Sequence, residues 1–215
     1  MDVVVPLVFF LALVSLVLTA PRLDALRGRR RAGALADDLL KRHSLVPTPD
    51  FTVSRLPVAG PPFHYGAAQR LADQVGGVVD GLPLTVAGYS CRYNGATHVY
   101  GIAVVSLPFP VDGIEVRHER VFHSVLVVEP VPEGRISSGE TEFDHRYRSY
   151  AADPDQARRV LSAQGVRELS AAPEPFSWRV DGADLLLWRS GGWDSADSLL
   201  GCVRAVTAVL RPDDG

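Results

Sequence analysis

The stretch that decides the fold is PLTVAGYSCRYNGATHVYGIAVVSL, Pro83–Leu107, in which two apolar, alternating segments flank Asn94-Gly95. A type I′ turn requires positive φ at both central residues, and Asn-Gly tolerates this best, so the stretch predicts a β-hairpin. A two-residue turn also sets the register of the two strands. The predicted cross-strand pairs are Cys91 with His98, Tyr89 with Tyr100 and Ala87 with Ile102.

Strand signals continue on both sides of this hairpin. QVGGVVD, residues 74–80, predicts a preceding strand that turns at Asp80-Gly81. Pro108 and Pro110 predict a break after the hairpin, so GIEVRHE, Gly113–Glu119, is interpreted as a separate strand. FDHRYRSYA, Phe143–Ala151, predicts a further strand.

A second hairpin is predicted from FSWRVDGADLLLW, Phe176–Trp188, with its turn at Asp181-Gly182. In that register Arg179 would lie opposite Asp184, a favourable pair of opposite charges.

Capping residues and apolar spacing predict the helices. AGALADDLLKRHSL, Ala32–Leu45, is typical of a short amphipathic helix. Asp153-Pro154 predicts the start of a helix that ends at Gly165. A last helix should follow Asp194 or Ser195, with one apolar stripe. The residues of that stripe are Leu199, Val203, Val206 and Leu210.

The N-terminal sequence predicts a membrane anchor. Val3–Ala20 contains no charged residue, and as a helix it would reach about 27 Å at ~1.5 Å per residue. The hydrocarbon core of a bilayer is roughly 30 Å thick, so this run is long enough to cross it. A cleaved signal peptide is the alternative, but no Lys or Arg precedes the run. The sequence LTA before Pro21 is also a poor cleavage site, because proline directly after the cut is unfavourable.

Positive charges after the apolar run predict its orientation. Lys and Arg close to a span remain on the cytoplasmic side, so the expected localisation is the cell membrane, single-pass, with the N-terminus outside and the C-terminal domain cytoplasmic. Four arginines are the candidate contacts with the membrane surface. They are Arg27, Arg29, Arg30 and Arg31.

These observations predict three regions and a fold class. The regions are a transmembrane anchor (1–21), a basic juxtamembrane helix and linker (22–50) and an α+β domain (51–215). The predicted fold class is α+β: an N-terminal transmembrane helix followed by one domain of antiparallel β-hairpins packed with two or three helices. Residues 44–215 carry a net charge of −6, which argues against binding to nucleic acid.

Few residues have the spacing that catalysis or metal binding requires. The predicted hairpin places Cys91 beside His98, a pair that could form an activated thiolate. Glu140, Glu142 and Asp144 alternate, and on a strand they would share one face that suits a cation. We interpret the first pair as packing residues and the carboxylates as a solvated edge. The sequence therefore predicts no catalytic residue, no cofactor and no metal.

Several segments together resemble a known group of proteins. PFHYG (62–66), the hairpin region and EFDHRYRSYAADPDQAR (142–158) are similar to a domain of unknown function in uncharacterised actinobacterial single-pass membrane proteins. The resemblance covers about Lys41 to the C-terminus. It implies the anchor and the α+β domain, and it carries over no catalytic residue.

The expected function is therefore a membrane-tethered cytoplasmic binding or scaffold module without enzymatic activity. Its expected partners are the lipid bilayer and another membrane-associated protein, because tethering raises the effective concentration of such partners. Two alternatives remain open: an enzyme acting near the membrane, and an exported protein with a cleaved N-terminus.

Overall fold

The computed structural model describes residues 25–49, 62–63, 66–93, 95–119 and 134–211. Within these ranges the chain forms seven strands and five helices. The strands are β1 (Val46–Pro47), β2 (Ala67–Val79), β3 (Leu82–Tyr93), β4 (Ala96–His118), β5 (Arg135–Ile136), β6 (Tyr147–Ala151) and β7 (Ser177–Ser190). The helices are α1 (25–42), α2 (Thr141–Arg146), α3 (Pro154–Val160), α4 (Ala163–Ser170) and α5 (Ala196–Leu210).

All seven strands belong to one antiparallel sheet. Its order is β1-β2-β3-β4-β6-β5, and β7 pairs with β4 in addition. The first hairpin is confirmed with its register, because Cys91 pairs with His98, and the Tyr89–Tyr100 and Ala87–Ile102 pairs follow. The strand before it is also confirmed, since β2 turns into β3 at Asp80-Gly81, where both residues have positive φ.

The predicted break at Pro108 and Pro110 was wrong. β4 runs unbroken through both prolines, and its pairing with β7 shifts register between Ser106 and Val111 and again between Val111 and Ile114. Such bulges accept proline within a strand because they leave a residue without a ladder hydrogen bond.

The predicted second hairpin was also wrong. β7 is one strand, and Gly182, with φ of +63°, lies inside it opposite Val111. Both halves of β7 pair with β4 instead of with each other. Arg179 therefore lies opposite Glu115, and Asp184 lies opposite Ser106.

The predicted fold class is corrected by these findings. It expected an N-terminal transmembrane helix followed by one domain of antiparallel β-hairpins packed with two or three helices. The described chain is instead a single, mostly β sheet with five helices. The physical reason is that two long bent strands, β4 and β7, replace the four short strands that the prolines and Asp181-Gly182 predicted.

The predicted localisation is corrected as well. We expected a single-pass protein of the cell membrane, with its N-terminus outside and its C-terminal domain cytoplasmic. None of the helices formed by the described residues is both long and apolar enough to span a bilayer. Val3–Ala20, on which the anchor was predicted, lies outside the described residues.

The remaining helix predictions were partly correct. Asp153 caps α3, accepting a hydrogen bond from the Asp155 N–H at 2.8 Å, but α3 ends at Val160 and Gly165 lies inside α4. The predicted strand Phe143–Ala151 begins as helix α2 and becomes β6 at Tyr147.

The last helix is confirmed, with its cap and its stripe. The Ser195 hydroxyl accepts a hydrogen bond from the Ser198 N–H at 3.1 Å. The four stripe residues of α5 are all buried. They are Leu199, Val203, Val206 and Leu210.

Helices cover one face of the sheet and form the main core with it. α1 contributes Leu35 and Leu39 to this core, and Ala32 packs so closely on Gly88 that a Cβ there would lie 2.8 Å from the alanine Cβ. Side chains alternate along strands, so the other face carries a second cluster. Its members include Phe63, Tyr89, Cys91, Tyr100, Ile102 and Trp188.

Candidate functional site

The candidate site is a cleft between α5 and the turn that joins β2 to β3, here called the α5 cleft. Its cavity volume is about 240 Å³. Small-molecule sites are concave and mostly apolar, so an apolar cleft of this kind is a candidate binding site. The lining residues are Val79, Asp80, Leu82, Leu84, Val105, Leu200, Val203, Arg204, Thr207, Ala208 and Arg211.

A tight turn and the spacing of residues along α5 determine where the two walls of the α5 cleft lie. On the sheet side, the tight Asp80-Gly81 turn brings Val79 directly opposite Leu82. On the helix side, Leu200, Arg204 and Ala208 are spaced by four residues, so they follow one line along α5. This line runs beside the buried stripe, which holds α5 on the sheet.

The α5 cleft is apolar inside and polar at its mouth. Leu84, Val105 and Leu200 are at most 3% exposed, so they form its floor. The side chains of Arg204 and Asp80 are 62% and 54% exposed, and they lie at the opening. A ligand with an apolar part and a polar end would match this division.

One ion pair crosses the opening. The Arg204 Nε lies 2.7 Å from the Asp80 Oδ2. This contact with Asp80 raises the pKa of Arg204, so its guanidinium stays charged. Exposed ion pairs contribute only about 0–1 kcal/mol to stability, so this contact can open at little cost.

The other two polar groups at the α5 cleft differ in their availability. The Thr207 hydroxyl donates to the Arg204 carbonyl oxygen at 3.1 Å, which satisfies it within the helix. Arg211 is exposed and forms no ion pair with any acidic side chain of the described residues. The opening therefore carries two arginines and one aspartate.

Cys91 and His98 are brought together, but not as a reactive pair. They are cross-strand neighbours, as the sequence predicted. Cys91 is 2% exposed, and burial raises the pKa of its thiol despite a hydrogen bond with Tyr89. A thiol with a raised pKa remains protonated and is a poor nucleophile.

Glu140, Glu142 and Asp144 do not converge. They lie at the start of α2 rather than on a strand, and Asp144 accepts hydrogen bonds from the hydroxyls of Ser137 (2.6 Å) and Ser138 (2.9 Å). Burial acts to raise the pKa of Asp144, but these hydrogen bonds outweigh it and the pKa is lowered. Among the described residues no group of three or more metal-ligating side chains is suited to a metal ion.

The four predicted surface arginines all lie on α1. Arg29 and Arg30 are exposed, as is Arg27. Arg31 forms an ion pair with Asp194, with 3.4 Å between its Nη1 and the aspartate Oδ1. Arg31 therefore helps to attach α1 to the segment before α5.

A buried charge cluster beside α5 was missed by the sequence analysis. Glu174 is 7% exposed, and its Oε2 lies 2.7 Å from the Arg189 Nε. Both atoms lack a hydrogen bond of good geometry, so the contact is an ion pair without a directed hydrogen bond. Burial raises the pKa of Glu174 against the attraction of Arg189. No local motif signals this cluster.

The α5 cleft was also missed. Asp80 and Arg204 are 124 positions apart in the sequence, and neither belongs to a recognisable motif. Their proximity depends on how α5 packs across the sheet, which local patterns do not specify.

Comparison with known proteins gives a fold but no family. No family model matches the chain, and no curated protein matches it. The fold is similar to that in the crystal structure of the mycobacterial trehalose monomycolate transport factor A, TtfA, with a TM-score of 0.58. The similarity covers 88% of this chain and 98% of the TtfA chain at 14% sequence identity. At this identity the similarity shows a shared fold alone.

Proposed function

We propose that this chain is a non-enzymatic binding protein that acts as an accessory component in transport, with the α5 cleft as its ligand-binding site. The observation that carries the proposal is the apolar opening of about 240 Å³ with charged groups at its mouth. The structural similarity to a transport factor supports the proposed role in transport.

The chemistry of the α5 cleft supports binding rather than catalysis. Its titratable groups are Asp80, Arg204 and Arg211, and no Ser, Cys or His lines it. General acid–base catalysis most often uses histidine, and nucleophilic catalysis most often uses serine or cysteine; none of these side chains lines the cleft. Such a site holds a molecule without transforming it.

Ligand capture tests this proposal with a variant that fills the cleft. Ala208 lines the α5 cleft and is exposed, so Ala208→Phe places a ring in the opening without disturbing the core. Ala163→Phe is the matched control, because Ala163 is an exposed helical alanine that does not line the cleft. The full-length chain is mixed with an apolar extract of its own cells and isolated by gel filtration. Any bound molecule is then released from the chain, and its mass is compared with its mass in the extract.

We expect the wild-type chain and Ala163→Phe to retain a molecule that Ala208→Phe does not retain, and the molecule to be released at unchanged mass. In cells whose only copy is Ala208→Phe, the same molecule should accumulate as it does in cells lacking the chain. A changed mass would assign an enzymatic role, and equal retention by Ala208→Phe would overturn the assignment of the cleft.

A further inference from the structure

We propose that the α5 cleft binds a small alkyl carboxylate, a fatty acid of about eight carbons, with its tail in the cleft and its carboxylate against Arg211 and Arg204. This inference rests on the proposed function, because it names the ligand class of the same site. It is argued from the lining, the volume and the charges of the cleft.

The lining selects an alkyl tail. Seven of its eleven residues are aliphatic, and none is aromatic. The innermost of them, such as Val105 and Leu200, offer no hydrogen-bonding side chain and are at most 2% exposed. A sugar or a nucleotide would lose its hydrogen bonds with water there and gain none, which is unfavourable.

The volume limits the length of that tail. A water-sized group takes roughly 30 Å³, and a methylene group is similar in size, so about 240 Å³ holds about eight such groups. Pockets for drug-sized ligands are larger, from about 300 Å³ upward. The cleft can therefore enclose a short or medium chain.

The charges at the mouth select an anionic head. Arg204 and Arg211 are seven residues apart, or about 10 Å along the helix axis, and they lie on the same side of α5. Asp80 neutralises one of the two arginines. Arg211 has no acidic partner among the described residues, and the planar donor fork of its guanidinium matches one carboxylate.

Arg211 has a further role, because it lies at the end of α5. The C-terminus of a helix carries a partial negative charge, which repels anions. The guanidinium of Arg211 must offset this repulsion before a carboxylate can bind. Loss of Arg211 should therefore weaken binding more than loss of an ordinary surface charge.

Calorimetric titration of the full-length chain with octanoate tests the inference, with octan-1-ol and butanoate as comparison ligands. Octanoate should bind at least tenfold more tightly than either, because octanol lacks the charge and butanoate lacks the tail. Arg211→Gln should weaken octanoate binding about tenfold and leave octanol binding unchanged, and Ala208→Phe should abolish both.

Asp80→Asn is the most informative variant, because it should strengthen octanoate binding severalfold. The substitution releases Arg204 from its ion pair. Asn also tolerates the positive φ of this turn position, so the fold should be kept. Damage to the fold would weaken binding, so a gain is specific to the charge at the mouth.

The outcomes separate this inference from the proposed function. Equal affinity for octanoate and octanol, no gain in Asp80→Asn, or octanoate binding that persists in Ala208→Phe would each overturn the fatty-acid inference. If octanoate does not bind while the capture experiment yields a molecule that Ala208→Phe does not retain, the proposed ligand class is wrong and the proposed binding role stands. If the capture experiment also fails, both are overturned.

Discussion

Single residues on β4 have very different tolerance for added volume. A Cβ at Gly101 would lie 2.4 Å from the Trp193 Cδ1 and 3.1 Å from the Gly192 Cα. A Cβ at Gly113, on the same strand, would meet nothing within 4 Å. Gly101 is therefore required by the close approach of a buried indole, whereas Gly113 is not.

We expect Gly101→Ala to lower the free energy of unfolding by about 1–3 kcal/mol, because the added methyl group would collide with the ring of Trp193, which is 1% exposed and packed in the core. Gly113→Ala is the control and should change it by at most about 0.5 kcal/mol. Urea unfolding followed by tryptophan fluorescence measures both. Equal stability of the two variants would contradict the packing of Trp193 on Gly101.

The two cysteines should be unreactive in the folded chain. Burial raises the pKa of Cys202 to about 12, and burial also raises the pKa of Cys91. At pH 8.5 both thiols are therefore protonated, and neither is accessible. Intact-mass measurement after iodoacetamide should show no adduct on the native chain and two adducts on the chain unfolded in urea.

At the scale of elements, identical turn signals led to different outcomes. Asp80-Gly81 forms the predicted turn, and β3 and β4, which flank Asn94-Gly95 in the sequence, pair with each other in the predicted register. Asp181-Gly182 carries the same signal, yet Gly182 lies within the continuous strand β7, opposite the irregular part of β4. Positive φ is specified locally, but whether it serves a turn or lies within a continuous strand depends on which strand is adjacent.

The registers of adjacent strands were therefore predictable, and the long-range pairing was not. Predictions held where the partner is close in sequence, as for Tyr89 with Tyr100, or where a cap acts on its own helix, as for Asp153. The α5 cleft and the Glu174–Arg189 cluster depend on packing between distant elements. Nothing in a local pattern encodes them.

The role of α1 in the domain is open to a direct test. Leu39 on α1 is fully buried in the main core, whereas Leu26 on the same helix is 54% exposed. We expect Leu39→Ala to lower the free energy of unfolding by about 2–5 kcal/mol, the usual cost of a cavity in a core. Leu26→Ala should have little effect. If Leu39→Ala unfolded no more easily than Leu26→Ala in urea, α1 would not be an integral part of the core.

At the scale of the whole molecule, a chain of charged side chains joins separate elements, and its inner pair, Glu174 and Arg189, is buried. Asp194 contacts Arg31 of α1 and Arg189 of β7, and Arg189 also contacts Glu174, which precedes β7. Replacing one member of a buried pair leaves the other charge without a partner, which usually costs more than the pair contributes. This cluster therefore links α1, β7 and the start of α5.

The raised pKa of Glu174 predicts a pH dependence of stability. Because the folded state binds this proton more tightly than the unfolded state, the contribution of Glu174 is fully present below its ordinary pKa and is lost as pH rises through the raised value. The difference in unfolding free energy between wild type and Glu174→Gln should therefore decrease from pH 4 to pH 7. Urea titrations at several pH values measure this difference. A difference that grows with pH would show that attraction to Arg189 outweighs burial.

The central position of β4 also has a consequence for the way the chain folds. Val116 pairs with Trp178 and Tyr100 pairs with Ser190, so these contacts close loops of 62 and 90 residues. Loop closure over such distances slows folding. During synthesis on the ribosome, β4 emerges long before β7, so one edge of β4 has no partner until β7 has been made. We expect the nascent chain to be most prone to aggregation in that interval.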